Sequence, residues 1–408
     1  MPTLVQFNPV ANWGSTGRLT EDIGEVAMSA GWESYIAFGR QFNPSSSHLL
    51  RIGGRMSVFS HTLKTRLFDR QGFGSYWATK KLLKTFDEIK PDIFQFHNLH
   101  GNYLNLPLIL RYATEKDIPV VWSLHDCWSM TGHCSHFVRI GCDRWKTECH
   151  HCPLKSQYPN SWFLDSSRRN FREKKKLIQS VPRLTIISGS RWLANIAEES
   201  YFKGRDIHVI PNGIDTEIYQ PRENGNALRK KLGVEGKFVI LATGTGWGED
   251  KGLYDYGELR KILSEDYAIV LVGMSPEWLA KVPEGVIGLP RTKTPQELSE
   301  YYSMADCVMS LSRMESFGLT PVEGYACGTP AIVYDTTALP ELITPDTGFV
   351  AKFLDVNDVK QKVEIMREKG KLFYSNRCRK VAVDVFDRKK CYAEYLRIYG
   401  DMLNYTKN

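Results

Sequence analysis

Glu315 and Glu323 bracket the stretch "ESFGLTPVE", in which Gly318 and Pro321 stand between two carboxylates. The preceding "ADCVMSLSRM" reads as a strand running into a loop, and "PVEGYACG" reads as a helix with proline in its first turn and Gly328 as its stop. The spacing therefore predicts a strand-to-helix loop that carries Glu315 and the amides of Ser316, Phe317, Gly318 and Leu319. Such a loop aims free N–H groups and the positive end of a helix dipole at a phosphate or a polyhydroxyl ligand. A carboxylate accepts both hydroxyls of a vicinal diol, so one glutamate for a ribose and one for a hexose would account for the pair. The same spacing also fits an ordinary exposed loop glutamate followed by a capping glutamate at a helix N-terminus.

Other residues have the types that such chemistry uses. Lys251 in "EDKG" is a point charge on a flexible stem, suited to a departing diphosphate, although a lone turn lysine reads the same way. Gly14, Ser15, Thr16, Gly17 and Arg18 lie in "NWGSTGRL", a glycine-bearing segment between a strand and a helix where backbone can approach a phosphate or sugar. His125 and Asp126 close the strand "PVVWSLHD", and His97, Asn98 and His100 follow the strand "PDIFQFH". Asp126 could orient the His125 imidazole or touch an acceptor, as could His97, Asn98 and His100.

The elements that must position these groups alternate as short β-rich runs and helical stretches, the pattern of parallel βαβ construction in an α/β protein. One series runs "TLVQF", "ESYIAFG", "PDIFQFH", "PVVWSLHD", "RLTIISGS"; a second runs "IHVIPNG", "KFVILATG", "YAIVLVG", "GVIGLP", "ADCVMSL", "PAIVYD". These predict two Rossmann-like domains, 1–205 and 206–385, with an amphipathic last helix over about 386–408 and a Cys/His-rich insert at 127–153. Ligands in such sheets bind outside the carboxyl ends of the strands. A length of 408 residues with 42% hydrophobic content supports two real cores. The longest apolar runs are strand-sized, no basic-then-apolar leader opens the chain, and a cytoplasmic location is expected. The net charge of +7 is modest, and no nucleic-acid motif accompanies it.

In the order of these motifs the sequence resembles the retaining glycosyltransferases of the GT-B fold, family 4 (group 1) type, whose pattern E-S-F-G-L-x-x-x-E-x-x-A-x-G-x-P stands here without a gap. "VIPNGID", "DKG", "SLHD" and "TALPELI" agree in order, so the resemblance covers nearly the whole chain. The segment "HDCWSMTGHCSHF…GCDRWKTECHHCP" further resembles the subgroup that builds colanic acid, capsules and other exopolysaccharides. The resemblance implies two facing domains with a cleft between them and a last helix that crosses back to the first.

It also implies roles. Glu323 would bind the nucleotide ribose, Glu315 the donor sugar, the Phe317–Gly318–Leu319 amides the sugar or diphosphate, and Lys251 the leaving diphosphate. His125 would stand near donor sugar and acceptor, with Gly14–Arg18 also on the donor. The donor would be UDP- or GDP-linked and the acceptor a glycan or polyprenyl-linked oligosaccharide at the inner face of a membrane. No metal would be required for catalysis. Family members often carry an arginine five residues before the lysine; here Gly246 stands there, and Arg18, Arg291 or Arg313 would have to supply the charge. An epimerase acting on a nucleotide sugar, or an inactive sugar-nucleotide-binding scaffold, would share the same pocket.

Cys134, Cys142, Cys149 and Cys152 fall within the insert, and "CHHC" has knuckle spacing, so a structural zinc is expected. Disulfides and free thiols are the alternatives, and His133, His136, His150 or His151 could replace a cysteine. Cys307, Cys327, Cys378 and Cys391 read as scattered core residues. Two basic stretches, "RRNFREKKK" at 168–176 and the aromatic-interleaved region Arg51 to Lys84, would suit an anionic membrane surface or a solvated helix face.

Overall fold

The computed structural model of the protein describes residues 1–404. The chain forms two compact units, one of residues 1–210 resuming at Tyr392, the other of residues 211–391.

The first unit is built on a seven-stranded parallel sheet. Its strands are β1 Thr3–Phe7, β2 Glu33–Phe38, β3 His48–Arg51, β4 Ile93–Phe96, β5 Val120–Leu124, β6 Leu184–Ser188 and β7 Asp206–Val209, in the order β3-β2-β1-β4-β5-β6-β7. β1, β4, β5 and β6 are buried along their whole length, which is why each reads as a run of apolar residues without alternation. Phe7, Phe86, Phe94 and Phe96 meet edge-on or tilted at the centre of the core. The final helix Arg388–Asn404 joins this unit through Tyr392, Tyr395 and Tyr399, which are almost fully buried at helical spacing. Ser123 on β5 donates to the Tyr395 hydroxyl at 3.1 Å, and the Tyr399 hydroxyl donates to Gln95 on β4 at 2.9 Å.

The second unit carries a six-stranded parallel sheet. Its strands are β8 Phe238–Thr243, β9 Tyr267–Met274, β10 Ile287–Pro290, β11 Cys307–Ser310, β12 Ala331–Tyr334 and β13 Gly348–Ala351, in the order β10-β9-β8-β11-β12-β13.

Two elements differ from the sequence reading. "IHVIPNG", expected to open the second series, supplies β7, whose residues Asp206–Val209 pair in register with Thr185–Ser188 of β6. It adds an edge to the first sheet before Pro211 ends it, which moves the division of the chain a few residues downstream. β3 has no counterpart in the expected series because it is a half-exposed edge strand of four residues with little apolar signal. Among the described residues no helix is long and apolar enough to cross a membrane.

Candidate active site

In each sheet the strand order reverses once next to its first strand, and the loops leaving the carboxyl ends at that point form a natural crevice. In the second sheet the reversal lies between β8 and β11. β8 leads into the loop that ends at Lys251, and β11 into the loop that carries Glu315, so the sheet topology brings these two residues together. Lys251 Nζ donates to Glu315 Oε1 at 2.5 Å, both side chains being about a quarter exposed. Glu315 is held from behind, its N–H donating to Thr337 Oγ1 at 3.0 Å.

Gly318 caps the helix Leu319–Ala326 with a φ of +106°, and a Cβ there would stand 2.8 Å from Leu339 Cδ2. Only glycine allows the chain to turn from the Glu315 loop into this helix. Glu323 lies one turn into the helix, where its Oε2 accepts from the Tyr302 hydroxyl at 2.6 Å. Tyr302 is also 2.7 Å from Thr243 Oγ1, which is 3.0 Å from Thr320 Oγ1. Burial, and then the Glu323 charge, push the Tyr302 phenol well above its ordinary pKa, so it remains a hydroxyl donor. Phe317 belongs to the core, edge-on to Phe386, so only its backbone is available to a ligand.

The arginine absent from position 246 has a local explanation. Gly246 has a φ of +73°, a left-handed conformation that an arginine adopts only with strain. Arg313 pairs with Glu249 at 2.6 Å and Asp255 at 3.5 Å, and its N–H donates to Asp250 O at 2.9 Å. It thereby ties the Lys251 loop to the Glu315 loop.

In the first sheet the reversal lies between β1 and β4. Gly14–Arg18, expected as a loop, form the first turn of the helix Gly14–Ser29. Gly17 packs so closely that a Cβ would lie 3.1 Å from Val10 Cγ2, and Arg18 Nε donates to Gly14 O at 3.2 Å. Thr16 stands 3.4 Å from the Asn8 amide.

Around a small pocket at the ends of β4 and β5 stand His97, Asn98, His100, His125 and Asp126. Gln6 Nε2 donates to Thr20 O, which turns its Oε1 toward His97 Nε2 at 3.1 Å. His97 therefore carries its proton on Nε2 and accepts through Nδ1 from His125 Nε2 at 3.1 Å, the rings stacking at 5.3 Å. Burial pulls His125 down to about 4 and His97 well below its ordinary range, so at neutral pH both are uncharged. Asn98 contributes its carbonyl to the Tyr103 hydroxyl at 3.0 Å.

Asp126 does not orient His125, as the adjacent residues suggested; it turns to His100, with Oδ2 2.6 Å from Nε2. The other His100 nitrogen lies 2.8 Å from the Tyr158 hydroxyl. Burial opposes the His100 charge, but Tyr158 and Asp126 outweigh it and raise the imidazole to about 10; Asp126, likewise favoured over burial by His100, falls to about 2. The result is a charged pair beside a neutral one. Gln6, Tyr158 and Tyr302 were not singled out in the sequence, since they come from distant positions and have no motif of their own.

All nine cysteines of the chain, those of the insert included, are free thiols. Among the described residues no group of three or more His, Cys, Asp or Glu side chains is gathered as a ready metal site, so Cys134, Cys142, Cys149 and Cys152 are not a preformed tetrahedron. Of the basic surface expected at 168–176, Lys174 turns inward, and Arg70 of the earlier stretch is stacked on Phe73 at 3.8 Å.

Residues 17–218 match the model of Glycosyltransferase Family 4, and residues 256–380 match that of Glycosyl transferases group 1. The chain belongs to this glycosyltransferase family. The putative colanic acid biosynthesis glycosyl transferase WcaC of Escherichia coli K12 is 24% identical over 89% of this chain and 90% of its own. An uncharacterized protein of the Klebsiella pneumoniae cps region is 35% identical over 52% of this chain and 60% of its own. Sucrose-phosphate synthase of Thermosynechococcus elongatus superposes with a TM-score of 0.72 at 13% identity, covering 99% of this chain and all of that one. Anabaena HepE in complex with UDP-glucose superposes at 0.67 with 15% identity, over 98% of this chain and 99% of that one. The fold of this glycosyltransferase is thus GT-B.

Proposed function

We propose that this glycosyltransferase moves a sugar from a nucleotide diphosphate sugar onto a glycan acceptor in polysaccharide assembly, with retention of anomeric configuration and without a catalytic metal. The observation that carries the reading is the grouping of Lys251, Glu315 and Glu323 at the reversal point of the second sheet. Glu323, steadied by Tyr302, takes the ribose diol. Glu315 takes hydroxyls of the donor sugar, and Lys251 exchanges its contact with Glu315 for the β-phosphate of the leaving diphosphate. With the 317–319 amides it supplies the positive field that a divalent cation supplies elsewhere. In a retaining transfer of this type the leaving phosphate assists deprotonation of the attacking hydroxyl on the same face, so neither glutamate acts as a glycosidase acid or nucleophile. The uncharged His125 and the charged His100–Asp126 pair line the pocket of the first unit, where hydroxyls of the acceptor or donor sugar would bind. The UDP-glucose complex of HepE and the colanic acid role of WcaC support this donor class and pathway type.

We also infer a lipid-linked acceptor reached at an anionic membrane surface. Met56, Phe59 and Trp77 expose 76%, 62% and 76% of their surface in the basic Arg51–Lys84 region, and Trp162 and Phe163 are joined to it through the Trp162 N–H to Arg66 O bond of 2.7 Å. Each nearby lysine or arginine adds about 1 kcal/mol on anionic lipid. Co-flotation with phosphatidylglycerol vesicles, and none with neutral ones, is the expected result.

The deciding experiment is a calorimetric and thermal-shift screen of the protein against UDP, GDP, ADP and their sugars, with Glu323→Ala beside wild type. A selective response lost in the variant fixes the nucleotide. No response to any of them overturns the donor assignment, and binding with epimerisation but no transfer points to an epimerase.

A further inference from the structure

The two loops that meet at the reversal point of the second sheet carry charge in complementary order. Glu249 and Lys251 lie two residues apart on one loop, Arg313 and Glu315 two residues apart on the other. Each faces an opposite charge: Arg313 Nη1 lies 2.6 Å from Glu249 Oε1, and Lys251 Nζ 2.5 Å from Glu315 Oε1. Between these two rungs the Arg313 N–H donates to Asp250 O at 2.9 Å. The backbones touch, since a Cβ on Gly252, whose φ is +71°, would stand 2.3 Å from Leu311 O. The first loop is a single turn, in which the N–H groups of Lys251 and Leu253 donate to Gly248 O and that of Gly252 to Glu249 O.

The two rungs are not equivalent. Among the described residues Lys251 has one carboxylate at ion-pair distance, Glu315. Arg313 has two, its other terminal nitrogen lying 3.5 Å from Asp255 in the first turn of the helix Leu253–Ile262. The Arg313 carbonyl is fixed as well, accepting from Thr336 Oγ1 at 3.2 Å. With both terminal nitrogens on carboxylates, Arg313 is not a free guanidinium standing in for the charge sought at position 246. Residues 249–255 and 311–315 together contain four carboxylates, Glu249, Asp250, Asp255 and Glu315, against two cations, Lys251 and Arg313. An anion brought to Lys251 therefore enters a local excess of negative charge, and like charges at such range repel appreciably at the effective dielectric of a protein surface.

We propose that Arg313 is a positioning residue for the donor diphosphate: it neutralises Glu249 and Asp255 and holds the two loops in register, so that Lys251 can leave Glu315 for phosphate without being captured by neighbouring carboxylates. This rests on the assignment of a nucleotide diphosphate donor to the second unit. Arg313 acts through Glu249 and Asp255, not by touching phosphate. Without it both carboxylates face the ligand uncompensated and compete for Lys251. The loss therefore grows with the charge of the ligand, and it is relieved when a carboxylate is removed together with the arginine.

The test is calorimetric binding of UDP, GDP and ADP, and of the corresponding monophosphates, to the full chain as wild type, Arg313→Gln, Glu249→Gln and the double variant. Arg313→Gln should weaken the responding diphosphate about tenfold and its monophosphate much less. Glu249→Gln alone should bind the diphosphate no more weakly than wild type, and combined with Arg313→Gln it should recover affinity. Arg313→Lys, which keeps the charge, should lose less than Arg313→Gln and serves where the latter does not fold. A double variant as weak as Arg313→Gln would overturn the proposal in favour of direct phosphate contact. Equal losses for diphosphate and monophosphate would overturn it in favour of a purely structural role. Loop register is read without ligand by hydrogen exchange: the Lys251, Gly252 and Leu253 amides should exchange faster in Arg313→Gln, with rates in the first unit unchanged. Unchanged exchange at these three amides would overturn the register role. If no nucleotide binds wild type, the donor assignment falls and the diphosphate role with it, while exchange still decides whether Arg313 holds the loops.

Discussion

The reversal points of the two sheets share one topology and differ in how they hold charge. In the second unit charges are about a quarter exposed and borne on short local motifs: Lys251 and Glu315 meet across adjacent loops, and Glu323 rests on a tyrosine hydroxyl. In the first unit the titratable groups are buried, and their state is fixed by partners from distant segments, Gln6 for His97 and Tyr158 with Asp126 for His100. One crevice holds its charges in partly exposed side-chain contacts that solvent can reach. The other holds a fixed pattern of buried donors and acceptors.

The largest effect expected from breaking this contrast is on transfer. Lys251→Ala and Glu315→Ala should each lower kcat by about 10²–10³, the scale of removing one group that stabilises developing charge, measured with a saturating donor. The double variant should lose much less than the product of the two, because the side chains are in direct contact. Simple multiplicativity would mean that the two residues act independently.

Asp126→Asn, in contrast, should act mainly on stability, by about 3 kcal/mol in urea unfolding, because it leaves a buried imidazolium without its partner. The His100 resonance should then titrate well below its present value of about 10. An unchanged unfolding midpoint would show that the pair is not charged.

pH separates the neutral histidines from the charged one. His125 is depressed from about 6.5 to about 4, so the unfolded chain binds the extra proton first and stability falls as pH drops through that window. The slope from this residue should approach about 1.4 kcal/mol per pH unit and be reduced in His125→Gln. His100 is raised, so its contribution is complete below about 6.5 and is lost as pH climbs toward 10. Urea midpoints across pH 4–10 check both arms. The smallest effect is that of Tyr302→Phe, which removes one hydroxyl donor from Glu323 and should weaken nucleotide binding by about 1 kcal/mol in calorimetry.

The same contrast governs what could be read from the sequence. The Glu315–Glu323 stretch was legible because a loop and the helix it opens keep their chemistry within nine consecutive residues. The alternation of apolar runs and helices announced both sheets, since central parallel strands are apolar throughout. The histidine network was not legible in the same way. His97 and His125 were visible as strand-end residues, but their pairing, and the turn of Asp126 away from its neighbour toward His100, depend on strands brought side by side. Lys174 and Arg70 looked like surface charge because composition does not disclose which way a helix faces.

The first unit is discontinuous, and Tyr392, Tyr395 and Tyr399 enter its core from beyond the whole of the second unit. On a ribosome adding about 5–20 residues per second, residues 211–391 take on the order of 10–40 s to follow Ile210. During that interval the second unit has every residue it needs by the end, whereas Gln95 and Ser123 still await their tyrosine partners. The unit begun first is therefore completed only after the second has been made, and a nascent chain interrupted before Tyr392 would leave an unfinished sheet for chaperones and proteases to meet.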